Sequence, residues 1–447
     1  MDTPILDFAR AYAGSGMIRA HMPGHKGLRG LGPEALDLTE IAGADSLYEA
    51  DGIIAQSEEN AARLFGSRLT LYSCEGSSLC IRAMLAAALR AGRERGAAPV
   101  LLAGRNAHRT VLSAACLLGF EIAWLYGSGE NVLSVLPGPE EIRAALSRRP
   151  EKPFAVFLTS PDYLGGMADI GAAAKVCAEY GVPLLVDNAH GAYLRFLDPP
   201  LHPLALGAQM CCDSAHKTLP ALTGAAYLHV GDMPGVTARG LRECMALFGS
   251  TSPSYLILSS LDRLNGELAG DYPARLRAFC GQVRTVREAL KSAGWTLYGA
   301  EPMKLTLHAS RAGWRGDELA ARLRERGIEC EFADPDFAVL MTAPGQEDQL
   351  PLIGRAILSL PVRDALPSGP PAVAPGERAL SVRAAMLAPA EEVPAEQALG
   401  RVLASPCVSC PPAVPLLVCG ERVTQRAIDA FRYYGIRTLS VVRKENE

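Results

Sequence analysis

Thirty residues separate an aspartate from a lysine, and each of the two follows a strand-like apolar run. Val182-Pro183-Leu184-Leu185-Val186 ends in Asp187, with Asn188-Ala189-His190-Gly191 behind it. Gln209-Met210-Cys211-Cys212-Asp213 leads into Ser214-Ala215-His216-Lys217-Thr218. The interval is about the length of one strand-helix-strand unit. Polar groups that follow buried strands lie where α/β sheets collect their ligand-binding side chains. An acid and a lysine in such places suit pyridoxal phosphate. The lysine amine condenses with the aldehyde, and the carboxylate keeps the pyridine nitrogen protonated so that the ring accepts electrons. Taken alone, the pair is equally compatible with strand caps or a structural ion pair.

The surrounding pattern extends the argument. Leu69-Thr70-Leu71-Tyr72-Ser73 is strand-like, Glu75-Gly76-Ser77-Ser78 is a turn, and Leu79–Arg90 has helical composition. A glycine-serine turn that opens a helix offers free N–H groups, hydroxyls and the positive end of a dipole to a phosphate. Further strands are expected at Pro99–Ala103, Glu121–Tyr126, Phe154–Thr159, Val182–Asp187, Gln209–Asp213 and Ala225–Val230, with helices at Pro139–Arg148 and Gly171–Tyr180. Continuous apolar strands between helices predict a largely parallel sheet covered on both faces. Polar groups follow several strands: Ser77-Ser78, Asn106 and His108, Ser160-Pro161-Asp162, Asp187 and His190, and Ser214-His216-Lys217. Their convergence on one sheet edge is the strongest argument for a site. His108 is a candidate platform for a flat cofactor ring.

The N-terminal region reads differently. An amphipathic helix is expected from Ile5 to about Tyr12, before His21-Met22-Pro23-Gly24-His25-Lys26-Gly27. Pro23-Gly24 argues against a helix there, so the two histidines are not a metal pair, and a binding loop is the alternative to a solvated one. Asp45, Glu49 and Asp51 form an acidic loop. Ser57–Phe65 reads as a helix capped by Ser57. Toward the C-terminus, Leu256 opens an apolar helix and Tyr272 a long one to about Ala293. Strand-like Trp295–His308 and Ile328–Met341 flank a helix at Asp317–Arg326, and another helix is expected at Thr424–Tyr434. The domain division expected is 1–270 (arm and large domain), 271–363 (small α/β domain), 364–378 (a linker rich in Pro, Gly and Ala) and 379–447.

Composition excludes several classes. The 447 residues are 49% hydrophobic and 21% charged, with a formal net charge of −4, so neither a nucleic-acid tail nor an anionic-membrane binder is indicated. No apolar run approaches a membrane span, and Met1-Asp2-Thr3-Pro4 does not open a signal peptide, so a cytoplasmic protein is expected. The 12 cysteines are scattered among apolar neighbours, as buried reduced thiols are. Cys407, Cys410 and Cys419 have the one metal-like spacing, but no histidine completes a four-ligand zinc site there, and no metal is expected.

Taken together, the segments His21–Gly27, Glu75–Ser78, Asn106-Ala107-His108, Asp187–Gly191, Ser214–Pro220, Ser250–Tyr255 and Pro411–Pro415 resemble, in order, those of the bacterial ornithine/lysine/arginine decarboxylases. The resemblance is to their short form, which lacks an N-terminal wing. It implies an aspartate-aminotransferase-like α/β fold, with a mainly parallel seven-stranded large-domain sheet and a smaller C-terminal α/β domain. It also implies roles. Lys217 would hold pyridoxal 5'-phosphate, Asp187 its ring nitrogen, and His108 would stack on the ring. Gly76, Ser77, Ser78 and Ser214 would bind the phosphate, and Thr251 and Ser252 would reach the phosphate of a neighbouring subunit in a homodimer or assembly of dimers. His190 would sit near the ring hydroxyl and His216 near the reacting carbon. His21, His25, Lys26, Asp45, Glu49 and Asp51 are candidates to contact the substrate.

The chain departs from the family pattern at Asn188, where Glu is usual, at Ser160–Leu164, at Tyr48–Asp51, and at Cys410 and Ala413. These departures fall on loops expected to contact substrate. The implied activity is decarboxylation of a basic amino acid (arginine, lysine or ornithine) to an amine of polyamine metabolism. A transaminase or lyase on the same fold, or a silent subunit that keeps the fold, are the competing functions. Retained Lys217 and Asp187 weigh against the last.

Overall fold

The apolar runs form one seven-stranded sheet. Its strands are β1 (Leu69–Ser73), β2 (Ala98–Gly104), β3 (Glu121–Leu125), β4 (Pro153–Thr159), β5 (Leu184–Asp187), β6 (Met210–Asp213) and β7 (Ala226–Val230), in the order β1-β7-β6-β5-β4-β2-β3. β2 pairs parallel with β3 and β5 with β6, while β7 runs antiparallel to both β6 and β1. β5, β6 and β7 are buried at every position, which is why they read as unbroken apolar runs rather than as alternating ones.

The computed structural model describes residues 1–28, 30–127, 133–367, 369, 376–405, 408–410 (backbone) and 414–444. Cys407, Pro411, Pro412, Ala413, the Cys410 side chain and residues 370–375 of the expected linker lie outside that description. Two compact units emerge: Met1–Ala98 with Arg149–Val156 and Ile170–Arg275, and Pro99–Arg148 with Phe157–Asp169 and Leu276–Glu447.

In chain order the helices up to residue 292 are α1 (Pro4–Gly14), α2 (Ile53–Phe65), α3 (Gly76–Glu94), α4 (Arg109–Leu118), α5 (Pro139–Ser147), α6 (Ile170–Tyr180), α7 (Ala215–Thr218), α8 (Ala238–Ala246), α9 (Tyr255–Leu268) and α10 (Tyr272–Ser292). In the first unit, α1, α2 and α9 pack together beside β1. A buried polar knot ties these elements. Ser57 Oγ bonds Tyr72 Oη (2.7 Å) and Asp262 Oδ1 (2.5 Å), Asn265 Nδ2 donates to Tyr72 Oη (2.7 Å), and the Leu6 amide donates to Asp262 Oδ2 (2.9 Å).

Ser57 therefore does not cap α2. The helix starts four residues earlier, at Ile53, and Ser57 lies in its second turn. The first amides of α2 are served instead by Asp45, whose Oδ2 accepts from Gly52, Ile54 and Ala55. The link between β5 and β6 also differs from the expected helix: it holds two 3-10 turns, Ala192–Phe196 and Pro203–Leu206.

In the second unit, the two long strand-like runs each break into a pair of short strands. β8 (Leu297–Tyr298), β9 (Lys304–His308), β10 (Phe332–Ala333) and β11 (Phe337–Met341) form a sheet in the order β10-β11-β9-β8, accompanied by α11 (Gly316–Arg324) and α12 (Leu350–Leu358). The C-terminal part holds α13 (Val382–Leu387), β12 (Ala390–Pro394), β13 (Val408–Cys410), β14 (Val414–Leu417), α14 (Gln425–Tyr433) and β15 (Thr438–Val442) around a core that includes Leu403, Leu416, Phe431 and Val441. Arg105, just beyond β2, is buried and donates to the carbonyls of Pro415 (2.7 Å) and Leu416 (3.1 Å).

Candidate active site

Asp187 ends β5, and Lys217 lies in the single turn α7, immediately beyond β6. Parallel pairing of the two strands sets Asp187 opposite Cys212. Asp187 is 3% exposed. Its Oδ1 accepts from the Ala189 amide (3.1 Å) and from Cys212 Sγ (3.7 Å), while Oδ2 takes no hydrogen bond among the described residues. Burial raises its pKa, and the charge of Lys217 opposes the rise. Lys217 Nζ lies 3.2 Å from Nε2 of the buried His190. His216 turns Nδ1 to the Ala225 carbonyl (3.0 Å), which places its proton on that atom and leaves Nε2 as an acceptor.

The turn after β1 meets this region through hydroxyls. Ser214 Oγ donates to Ser77 Oγ (2.8 Å) at the start of α3. Gly76 adopts φ +69°, in the left-handed region, with open space where a Cβ would stand. Its carbonyl accepts from Ser73 Oγ (3.0 Å), and its amide donates to the Gly224 carbonyl (2.8 Å). Ser77, Ser78 and the first amides of a 19-residue helix thus share one place with Ser214. Thr251 and Ser252 are exposed. Their turn is tied to the same chain's Glu75, whose Oε1 accepts from the Ser250 amide (2.6 Å).

The described residues suit pyridoxal phosphate on three counts. A helix N-terminus with three hydroxyls matches a dianion. A primary amine stands beside an imidazole. A desolvated carboxylate with one bare oxygen calls for a proton-bearing partner, such as a pyridinium N–H.

Other expected site residues have local employment. His21 Nε2 is 2.7 Å from Tyr12 Oη, His25 Nε2 is 3.2 Å from Asp37 Oδ2, and Lys26 Nζ donates to the His21 carbonyl (2.6 Å). Both oxygens of Asp45 accept backbone amides, Oδ1 from Ser46 and Asp51 and Oδ2 from the start of α2. Glu49 and Asp51 are exposed.

In the second unit, His108 caps α4, with Nδ1 accepting from the Thr110 amide (3.2 Å). Both amide atoms of nearby Asn106 are buried with no partner among the described residues. Asp162 is buried, accepting from the Gly166 amide of its own loop and from Ser134 Oγ, and burial pushes its pKa up to about 6.

One group lies outside the candidates that the sequence singles out. Asp213, at the end of β6, is fully buried. Its Oδ1 accepts from Asn188 Nδ2 (2.7 Å), and its Oδ2 lies 3.0 Å from His202 Nε2 and 3.3 Å from His229 Nε2. Burial would raise the Asp213 pKa, but the two imidazoles outweigh it and hold the carboxyl well below the usual range. Donor atoms of His202, Cys211 and Asp213 lie within 4.8 Å of one another. Asn188 and His202 meet Asp213 at hydrogen-bond distance, and His229 lies beside it at ion-pair distance. The available sequence signal is an acidic residue ending an otherwise apolar strand.

The fold is that of the pyridoxal-phosphate-type α/β enzymes. The Orn/Lys/Arg decarboxylase major domain matches residues 3–293, and the C-terminal domain of the same family matches 379–440. The chain belongs to the Orn/Lys/Arg decarboxylase family, and it is an amino-acid decarboxylase of the pyridoxal-phosphate-dependent class. A protein of Halalkalibacterium halodurans named arginine decarboxylase is 28% identical over 464 residues, covering 95% of this chain and 91% of that protein. An arginine decarboxylase of Bacillus subtilis is 27% identical over 463 residues, covering 96% and 92%. Among solved structures, lysine decarboxylase A from Pseudomonas aeruginosa superposes with a TM-score of 0.79 at 18% identity, over 98% of this chain and 80% of that one. The last likeness supports the seven-stranded α/β fold. Among the described residues no helix is long and apolar enough to cross a membrane.

Proposed function

We propose that the protein holds pyridoxal 5'-phosphate on Lys217 and decarboxylates arginine, with lysine and ornithine as the alternative basic substrates. Bound there, the cofactor would supply an electron sink for the carbanion left by carbon dioxide. The observation that carries the reading is the buried Asp187, whose Oδ2 takes no hydrogen bond among the described residues, on the strand next to the one that presents Lys217. In this reading Asp187 holds the ring nitrogen, and Gly76, Ser77, Ser78 and Ser214 hold the phosphate. His108 supports the ring face, and His190, 3.2 Å from Lys217 Nζ, orients the ring hydroxyl. His216, with Nε2 able to carry a proton, or Lys217 itself returns the proton to the α-carbon.

Arginine is favoured because relatives that match nearly the whole chain carry that name. A guanidinium wants a two-oxygen carboxylate partner. Asp45 is occupied by backbone amides, so Glu49 and Asp51 are the members of the acidic loop left to meet it. The product amine would enter polyamine metabolism, in the cytoplasm. Met17, Ile18, Met22, Leu28 and Leu31 are all more than half exposed, a run of apolar side chains that a second copy of the chain would cover. This supports a homodimer, with Thr251 and Ser252 completing the partner's phosphate site.

Two measurements test the reading. Borohydride fixation and peptide mapping should place the pyridoxyl label on Lys217, and a label on another lysine would sink the assignment. A panel of the common amino acids plus ornithine, assayed for carbon dioxide and amine, should respond to arginine most strongly. Release only from neutral or acidic amino acids would exclude a basic substrate.

A further inference from the structure

We propose that Asn188 and Asp213 form a buried clasp that sets the Lys217 turn against the Asp187 turn, so that Asn188 is a positioning residue for the cofactor lysine. Asn188 directly follows Asp187 in the chain. Asp213 directly precedes Ser214, which opens the turn through Ala215 and His216 to Lys217. The 2.7 Å bond from Asn188 Nδ2 to Asp213 Oδ1 therefore ties together the two turns that carry the acid and the lysine. The Asn188 amide also donates to the Cys212 carbonyl (3.0 Å), so backbone and side chain hold the same junction.

Two features show that the carboxylate orients the amide. Asn188 is fully buried, and its Oδ1 has no partner among the described residues, so the side chain is turned by its bond to Asp213 rather than by satisfaction of both its ends. Asp213 is in turn held from the other side by His202 and His229. Thr70 Oγ1 meets His229 Nδ1 (2.8 Å), and the Phe65 ring packs on the His229 ring with centroids 4.3 Å apart.

The groups facing Asp213 are Asn188 and Asp187 on the β5 turn, His202 ahead of the second 3-10 turn, Cys211 and Cys212 on β6, Tyr227 and His229 on β7, and Cys80 on α3. Burial pushes the thiols and the phenol up.

The inference rests on the reading of Lys217 as the cofactor lysine. Its test uses the full-length protein, with Asn188→Leu and Asn188→Asp, and measures pyridoxal phosphate affinity and the pH midpoint of the bound cofactor's visible band. The melting temperature of the cofactor-free protein is followed alongside. Asn188→Leu removes the donor, and cofactor affinity should fall about tenfold or more at every pH, with a shifted band midpoint. Asn188→Asp sets two carboxylates face to face. Its affinity should approach the wild-type value at about pH 5, where one carboxyl keeps a proton and donates in place of the amide, and should fall away toward pH 8. If Asn188→Leu does not fold, the pH dependence of Asn188→Asp relative to wild type decides alone. Wild-type affinity and band midpoint in Asn188→Asp across this range would overturn the clasp. A pyridoxyl label on a lysine other than Lys217 would instead remove the underlying reading.

Discussion

Asp187 and Asp45 are two carboxylates of the same unit with opposite employment. Asp45 distributes both oxygens over five backbone amides, those of Ser46, Asp51, Gly52, Ile54 and Ala55. It does so from a left-handed backbone conformation, φ +72°, which aspartate tolerates better than most residues. Asp187 is more deeply buried, yet its Oδ2 takes no hydrogen bond among the described residues. A carboxylate satisfied by its own chain organises a loop. One that is desolvated and half satisfied has free energy to gain from a partner the chain does not supply.

The largest effect expected from this contrast is on turnover. Asp187→Ala should lower the rate by several orders of magnitude, while borohydride still fixes the cofactor to Lys217. Near-normal turnover would break the contrast at its catalytic end.

Asp45→Ala should act on folding instead. Loss of the amide acceptor at the start of α2 should cost about 2 kcal/mol, the upper part of the range for helix caps. The observable is a lower melting temperature with kcat/KM little changed in the protein that remains folded. An unchanged melting curve with a large loss of kcat would place Asp45 at the substrate.

A third carboxylate sharpens the comparison through pH. Burial raises Asp262 to about 6 despite its bonds from Leu6 and Ser57. That lies above the value of about 3.9 for an aspartate in an unfolded chain, so folding takes up a proton. The associated stability is present at low pH and is lost as pH rises from about 4 to about 6, by roughly 1–3 kcal/mol. Asp262→Asn removes this contribution and leaves those of the other raised carboxyls such as Asp162, so its curve should fall less steeply over that window, and the difference between the two stability curves isolates this group. Parallel curves would show that Asp262 is ionised throughout.

The smallest effect belongs to Glu49→Gln and Asp51→Asn. Exposed ion pairs contribute about 1 kcal/mol or less, so KM for arginine should rise by no more than about fivefold. A much larger rise would mean that the loop closes over the substrate and excludes water.

The legible part of this protein was its local pattern. Runs such as Leu69–Ser73 and Phe154–Thr159 became strands within a residue of their expected ends because side chains buried on both sheet faces leave no polar alternation to blur them. Lys217 and Asp187 were legible because an ionisable group at the end of an apolar run stands out. The expected Ser57 cap fails because local capping rules cannot see Asp45, which reaches the first turn of α2 from outside the helix. The meeting of His202, Asp213 and His229 was not legible, because these residues lie on separate elements and each alone is an ordinary polar residue.

The sequence by itself determined the strands of the large sheet, the acid-lysine pair and the glycine-serine turn, since these depend on neighbours along the chain. Only the tertiary structure decided which polar groups are satisfied. Parallel pairing of β5 with β6 brings Asn188 to Asp213, and antiparallel pairing of β6 with β7 sets Cys211 opposite His229 and brings that imidazole to the same carboxylate. The free energy of a buried charge depends on what surrounds it in space, and that surrounding comes from strands distant in sequence.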